Sequence, residues 1–132
     1  MKKYFFPAVF TSEDNDSYSV SFPDIPGCFT SGESLEEAFE MAQDALCLML
    51  YDMEEAGKPI PAMSDIKSIA LDDGQFVAVI ECDTLEYRKF FDNKAVKKTL
   101  TIPSWLNNAA EKQGVNFSAL LQDALKQHLH VN

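Results

Sequence analysis

The sequence predicts an α+β protein built from two parts. One long helical pattern lies between segments that alternate apolar and polar residues, as strands do. A short alternating segment near the end is followed by two more helical patterns. The chain has 132 residues, 46% of them hydrophobic, which suits one modest core with a small appended module.

The charge differs between the two parts more than its total shows. Residues 1–92 contain 6 Lys and Arg against 19 Asp and Glu, a net charge of −13. Residues 93–132 contain 5 against 2, a net charge of +3. Since opposite charges suit opposite partners, we expect two kinds of partner. The alternative, that the acidic surface only keeps the chain in solution, stays open.

The first part begins with three predicted strands. Residues 3–11 and 17–22 predict a hairpin across the turn SEDNDS, whose Asp and Asn residues favour tight bends. The prolines and glycine of FPDIPGC interrupt regular structure, and CFTSG supplies a third short strand.

A helix of about six turns comes next. Ser34 and Glu37 predict its capping box, and Gly57 predicts its end. Its buried stripe is predicted from spacings of three and four to comprise Leu35, Phe39, Ala42, Leu46, Met49 and Met53. Packing against a sheet is favoured over a methionine-lined binding groove.

The first part closes with a weak strand at 68–71 and a strong strand at 76–83, separated by a DDG turn. Residues 84–95 predict a helical or irregular connector. We expect its apolar side chains to contact the first part: Leu85, Tyr87 and Phe90. The predicted domains are therefore 1–83 and 96–132, with 84–95 between them.

The second part starts with the stretch KKTLTIPSW. Alternation places Leu100 and Ile102 on one side of a strand and Lys97, Thr99 and Thr101 on the other. Two helices follow in the sequence pattern. Ser104 is predicted to cap the first, which reaches about Gln113. Gly114 then ends that helix, and Asn116 caps a second helix that runs to about His130.

This second part predicts a dimer. About forty residues rarely form a stable core alone, and a lone strand leaves its backbone groups unpaired. Two copies that pair their strands antiparallel about a twofold axis would remove both problems. The predicted dimer core comprises Leu100, Ile102, Trp105, Leu106, Ala109, Ala110, Phe117, Leu120, Leu121, Ala124, Leu125 and Leu129.

The outer face of such a two-stranded ribbon predicts DNA binding. A ribbon fits the major groove, where Lys97, Thr99 and Thr101 can meet base-edge acceptors. The start of the last helix can bind phosphate through backbone N–H groups at Asn116, Phe117 and Ser118.

The alternating KKTLTIP, the break at Gly114 and the segment SALLQDAL resemble the ribbon-helix-helix family of DNA-binding dimers. The resemblance implies base contacts at Lys97, Thr99 and Thr101 and backbone anchoring at Asn116–Ser118. Threonines are weak base readers, so we expect phosphate contacts from the flanking Lys94 and Lys98 to support affinity. The alternative is a dimerisation clasp that binds no nucleic acid.

The segment FPDIPGCFTSGESLEEAFEMAQDAL makes residues 4–61 resemble HicB-like antitoxins. The resemblance implies a truncated RNase H-like domain (βββαβ) ahead of the ribbon-helix-helix (βαα) module. It also implies a small basic RNA-cleaving HicA-type toxin as partner and repression of the shared operon through operator DNA. Our hypothesis for toxin contact is Glu13, Asp14, Asp16, Asp24, Pro26 and Gly27. The helix over 34–56 is an equally open candidate.

Catalysis is not expected. RNase H chemistry needs converging carboxylates that hold metal ions, yet KYFFPAVFT contains no acid. No nucleophile has a recognisable base nearby, and neither a metal site nor a cofactor is predicted. The remaining alternatives are a ribbon-helix-helix regulator whose first domain senses a small ligand, and a residual nuclease.

The expected setting is the cytoplasm. No apolar run approaches the roughly 20 residues that span a bilayer, so no membrane partner is expected. Cys28, Cys47 and Cys82 lack metal-ligand spacing and suit buried free thiols. The operator sequence, half-site spacing, assembly beyond the dimer and the effect of toxin on repression stay open.

Overall fold

The computed structural model describes residues 3–132. Its contacts divide the chain into two compact units, one that ends at Lys94 and one that comprises Ala95–Asn132. The first unit carries a sheet and two α-helices, and the second carries two α-helices.

The sheet of the first unit has four antiparallel strands in the order β3-β2-β1-β4. The strands are β1 (Lys3–Ser12), β2 (Tyr18–Ser21), β3 (Phe29–Gly32) and β4 (Gln75–Asp83). Strand β4 pairs with β1 from Lys3↔Asp83 to Thr11↔Gln75, so β3 and β4 form the two edges. The three-strand start and the strong last strand are confirmed.

The hairpin turn follows the predicted chemistry. Residues Asp14–Asp16 form a short 3₁₀ turn between β1 and β2. Asn15 and Asp16 have positive φ angles of 65° and 61°, which Asn and Asp tolerate better than most residues. The acidic turn therefore costs the hairpin little strain.

Helix α1 (Leu35–Glu55) covers one face of the sheet and has the predicted ends. The Ser34 side chain accepts a hydrogen bond from the Glu37 N–H, while the Glu37 carboxylate accepts one from the Glu33 N–H. At the other end Gly57 has φ +68°, and the Lys58 N–H closes the last turn onto the Met53 carbonyl.

The predicted buried stripe of α1 is partly wrong. The buried residues are Ala38, Ala42, Leu46, Cys47 and Leu50. Leu35 is exposed instead, and Phe39 is 37% exposed although its ring stacks on that of Phe10 with the centroids 4.5 Å apart. The cause is the close approach of β3, because a Cβ at Gly32 would lie 2.4 Å from the Ala38 backbone nitrogen. The helix therefore turns its alanines toward the sheet.

The weak strand predicted at 68–71 is wrong. A 3₁₀ turn occupies Ile66–Ser68, and no strand is assigned among the described residues after it until β4. The Asp65 carboxylate accepts from the Lys67 N–H, and the Ser68 hydroxyl donates to the Asp65 carbonyl. These local bonds compete with strand formation. The DDG turn is confirmed, with Gly74 at φ +79°.

Residues 84–91 form a regular helix, α2 (Thr84–Phe91), which belongs to the first unit. Asp83 caps it by accepting from the N–H groups of Leu85 and Glu86. Tyr87 packs against the core as expected. The expectation for Phe90 is wrong, because its side chain is 76% exposed.

The second unit contains α3 (Ser104–Lys112) and α4 (Phe117–Leu129). Gly114 has φ +66°, and the Asn116 side chain accepts from the Ala119 N–H, as predicted. Ser104 is not the cap of α3. Pro103 holds that position, because its carbonyl accepts from the Leu106 and Asn107 N–H groups. The strand predicted ahead of α3 is not formed in the single chain: residues 96–103 have no regular secondary structure and pair with no strand of the described chain.

Candidate partner-binding surfaces

The second unit exposes its apolar side chains. No described residue in Ala95–Asn132 is buried, and Trp105 is 71% exposed. The large exposed apolar residues here are Leu100, Ile102, Trp105, Leu106, Phe117, Leu120, Leu125 and Leu129. Leu121 is half-buried. The predicted dimer core thus coincides with apolar surface that has no cover within the chain.

The residues predicted to read DNA are exposed. Lys97, Thr99 and Thr101 lie in the unpaired segment before α3, together with Lys98. Lys94 is the last residue of the first unit. With 4 Lys against 2 Asp and Glu, the second unit has a net charge of +2.

The start of α4 has the geometry expected of a helix that can hold an anion. Asn116 takes one of the free N–H groups of the first turn by capping Ala119. Phe117 and Ser118 are the first helical residues and are exposed. Their backbone N–H groups lie at the positive end of a thirteen-residue helix.

The first unit contains the residues predicted to contact a toxin, and two of them form hydrogen bonds within the unit. Glu13 accepts a hydrogen bond from the Ser19 hydroxyl. The Asp24 carboxylate accepts from the Ser64 N–H at 2.9 Å and from the Ser64 hydroxyl. Asp24 therefore ties the β2–β3 loop to the segment after α1.

The remaining predicted toxin contacts are exposed: Asp14, Asp16, Pro26 and Gly27. Asp14 and Asp16 lie at the hairpin turn, and Pro26 and Gly27 lie in the β2–β3 loop, where Gly27 has φ +81°. No ion pair engages the two turn aspartates among the described residues.

Sequence reasoning missed an acidic groove between α1 and the β4 edge. One stretch is lined by Phe39, Glu40, Gln43, Val79, Ile80 and Glu81. A second is lined by Glu40, Gln43, Asp44, Cys47, Asp83, Glu86 and Tyr87. The two stretches share Glu40 and Gln43, so they form one groove. No local motif signals it, since its residues meet only in the folded sheet.

A second missed feature is the polar network around Glu54. Its carboxylate accepts hydrogen bonds from the Tyr4 hydroxyl at 2.8 Å and the Thr84 hydroxyl at 3.0 Å. Arg88 donates to Glu54 at 3.0 Å and to Glu55, and it lies 4.5 Å from the centre of the Tyr51 ring. This network joins β1, α1 and α2.

The Glu54 network shifts two ionisations in opposite directions. Burial raises the pKa of Glu54, but hydrogen bonds that include those from Arg88, Tyr4 and Thr84 outweigh it and lower the pKa to about 2. Burial and the bond to Glu54 raise the pKa of Tyr4 to about 12. Both groups therefore keep their ordinary charge state near neutral pH.

The three cysteines are buried free thiols, as predicted. Burial raises the pKa of Cys28 to about 11. Cys47 of α1 and Cys82 of β4 share a hydrogen bond, and that bond together with burial raises the pKa of Cys82. For Cys28 and Cys82 a high thiol pKa disfavours the reactive thiolate, which suits a packing role.

In residues 3–132 no three His, Cys, Asp or Glu side chains group closely enough to hold a metal ion. Acids outside the first strand that could serve nuclease chemistry lie on different elements. Asp24 binds Ser64, whereas Glu36, Glu37 and Glu40 lie along α1. Among the same residues no helix is long and apolar enough to cross a membrane.

A family model and several known proteins match this chain. The family model described as the HicB-like antitoxin of bacterial toxin–antitoxin systems matches residues 6–124. A 14.9 kDa protein of Haemophilus phage HP1, encoded between rep and hol, is 36% identical over 96 residues, 70% of this chain and 68% of the phage protein. Antitoxin HicB of Escherichia coli K12 is 38% identical over 63 residues, which is 48% of this chain and 46% of that antitoxin.

Solved structures share the fold. A chain of a toxin–antitoxin complex from Streptococcus pneumoniae is 31% identical, with a TM-score of 0.62 over 96% of this chain and 99% of that one. The antitoxin HicB of Burkholderia pseudomallei has a TM-score of 0.55 at 21% identity, over 96% of this chain and 98% of that one. With its mixed α/β fold and a family match over residues 6–124, this chain belongs to the HicB-like antitoxin family.

Proposed function

We propose that this chain binds and neutralises a small basic toxin of the HicA type. The observation that carries the proposal is the family match over residues 6–124. The charge of the first unit supports it: 7 Lys and Arg against 19 Asp and Glu give a net charge of −12. Such a surface attracts a protein whose own surface is built to bind RNA.

Neutralisation on this account is binding, with no catalysis by this chain. In this proposal the toxin is held by the first unit, which would be the truncated RNase H-like domain that the resemblance to HicB-like antitoxins implies. An acidic surface that covers an RNA-binding surface blocks the toxin's substrate electrostatically and sterically.

The second unit acts as a ribbon-helix-helix module in this proposal. Its exposed apolar face supports pairing with a second copy, because large apolar side chains on two short helices are stabilised by mutual burial. Pairing would also give residues 96–103 the strand partner that one chain lacks. The paired ribbon would present Lys97, Thr99 and Thr101 twice, for repression of the antitoxin's own operon.

The toxin proposal is tested by co-expression with the protein encoded by a short reading frame that adjoins the gene of this chain. We expect a basic partner to co-purify with the full chain and to lose its RNase activity in the complex. A partner whose activity persists in the complex, or the absence of any complex, would contradict neutralisation.

The DNA proposal is tested with the double variant Lys97→Ala and Thr99→Ala. We expect it to remain a dimer while losing discrimination between operator and unrelated DNA in a gel-shift titration. Lys112→Ala, at the end of α3, is the matched control for loss of positive charge. Each lost phosphate contact should flatten the log–log salt dependence by about one unit. Unchanged discrimination would show that the ribbon does not read bases.

A further inference from the structure

Strand β4 is an edge strand with backbone groups available for pairing. The Ser12 N–H donates to the Gly74 carbonyl. From residue 74 onward, the backbone N–H and C=O groups of even-numbered β4 residues therefore point toward β1, and those of odd-numbered residues point away from the sheet. The ends of this outer edge are closed within the chain. The Gln75 N–H donates to the Asp72 carbonyl, and the Gln43 side chain donates to the Glu81 carbonyl at 2.9 Å.

The middle of this edge is open. Val77 and Val79 lie between the two closed ends, and their outward N–H and C=O groups have no partner within residues 3–132. Val79 is also 40% exposed. Edge strands are ordinarily protected from pairing by Lys, Pro or bulges, yet QFVAVIECD contains neither Lys nor Pro, and its pairing with β1 runs without interruption. The β4 edge is therefore suited to accept another strand.

Acidic side chains without an ion-pair partner among the described residues line one side of this edge. Glu40 and Asp44 of α1 line the groove, and neither has an ion pair with a described residue. They stand four residues apart on one helix, where like charges repel each other. Of the other groove acids, Glu81 pairs with Lys3 and Glu86 pairs with Lys89. Glu40 and Asp44 are left to meet a cation from outside.

We propose that a basic, extended segment of the toxin adds to β4 as a fifth strand and fills this groove. Its backbone would pair with Val77 and Val79. Because strand side chains alternate between faces, Lys or Arg at every second position would point to the α1 side and reach Glu40 and Asp44. This inference rests on the proposed antitoxin function and places its contact surface away from the hairpin turn.

Charge argues against a second copy of this chain as the occupant. Two β4 edges paired about a twofold axis would bring together two units that each carry a net charge of −12. Opposite-charge pairs stabilise paired strands, and like charges destabilise them. A basic segment of a different protein would instead be attracted electrostatically to the acidic first unit.

The test uses the full chain and the protein from the adjacent reading frame as the probe. The groove variant is Glu40→Lys with Asp44→Lys, two exposed helix positions at which lysine is tolerated. The matched control is Asp73→Lys with Asp92→Lys, which changes the net charge equally at two exposed positions outside the groove. We expect the groove variant to weaken the complex at least about tenfold, and the control to change affinity by less than about threefold.

Hydrogen exchange of the wild-type chain gives a second readout that needs no variant. We expect the Val77 and Val79 amides to exchange fast in the free chain and to be protected in the complex. Full affinity in the groove variant, or fast exchange of these amides in the complex, would overturn this inference and leave the antitoxin function standing. Protection in the chain alone would show that a second copy takes the edge. If the wild-type chain binds no probe, both proposals fail.

Discussion

The two units of this molecule treat their apolar side chains in opposite ways. The first unit buries Phe6, Phe10, Leu46 and Leu50 almost completely between α1 and the sheet. The second unit has two well-formed helices, yet no described residue in it is buried. The comparison teaches that good local helix signals do not make a core. A core needs a second layer, and the second unit does not contain one.

The largest effect that separates the two units is expected from Leu125→Asp. Leu125 is 49% exposed in the single chain, so there the change should cost within about 0.5 kcal/mol. Against a second copy it would bury an unpaired carboxylate, and we expect dimerisation to be lost. Sedimentation of the full chain measures this, with Gln122→Asp on the same helix as the control. A dimer that tolerates Leu125→Asp would show that this face is not the interface.

The converse change is Leu46→Ala in the first unit. Leu46 is fully buried, and removal of its side chain should lower the free energy of unfolding of this unit by about 2–5 kcal/mol. Self-association should persist, because the second unit is untouched. Urea unfolding followed by circular dichroism measures the loss, and the exposed Leu48→Ala is the matched control. A dimer that dissociates in Leu46→Ala would contradict the assignment of self-association to the second unit.

A smaller effect is expected from Glu54→Gln, which weakens the network that joins β1, α1 and α2. Loss of the charged acceptor should cost about 1–3 kcal/mol of first-unit stability. The folded-state pKa of Glu54 is about 2, below the ordinary value of 4.5, so its contribution is present above about pH 4.5 and is lost as the pH falls toward 2.

The wild-type chain should therefore lose stability more steeply than Glu54→Gln between those two pH values. Denaturant midpoints measured across that range give the comparison. Parallel pH profiles for the two proteins would mean that Glu54 carries no stabilising charge.

The smallest expected effect is that of Asn116→Ala. The Asn116 side chain caps α4 through the Ala119 N–H, and its loss should cost about 1 kcal/mol, confined to the second unit. Asn116→Asp keeps the cap but adds a negative charge where phosphate is proposed to bind, so it should retain stability and weaken DNA binding. Thermal melts and gel shifts of the two variants separate the roles. Equal DNA affinity in Asn116→Asp would remove α4 from the interface.

Features set by a few neighbouring residues could be predicted from the sequence. Ser34, Gly57, Gly114 and Asn116 end helices through their own backbone conformation or side-chain bonds, and each stands where expected. The buried stripe of α1 could not be placed correctly, because it depends on how closely Gly32 lets β3 approach Ala38. That distance is a tertiary property.

Candidate surfaces divide in the same way. The apolar face of the second unit could be predicted from helical spacing and from the alternation at Leu100 and Ile102, because this face depends only on local periodicity. The acidic groove could not be predicted from the sequence, because Glu40 and Val79 are 39 positions apart and come together only when the sheet packs against α1. The bond between Asp24 and Ser64 is a tertiary contact of the same kind, because the two residues are 40 positions apart. The toxin contact of Asp24 stays a prediction.

The central claim is that the second unit forms its core by pairing with a second copy. The most direct test follows the fluorescence of Trp105, the single tryptophan of the chain, during self-association. Its ring is 71% exposed in one chain and lies in the predicted dimer core. Sedimentation and tryptophan emission of the full chain are recorded together across micromolar dilution. We predict a dimer at the upper end and a red shift of emission as it dissociates. A chain that stays monomeric throughout, with its second unit folded, would contradict the account.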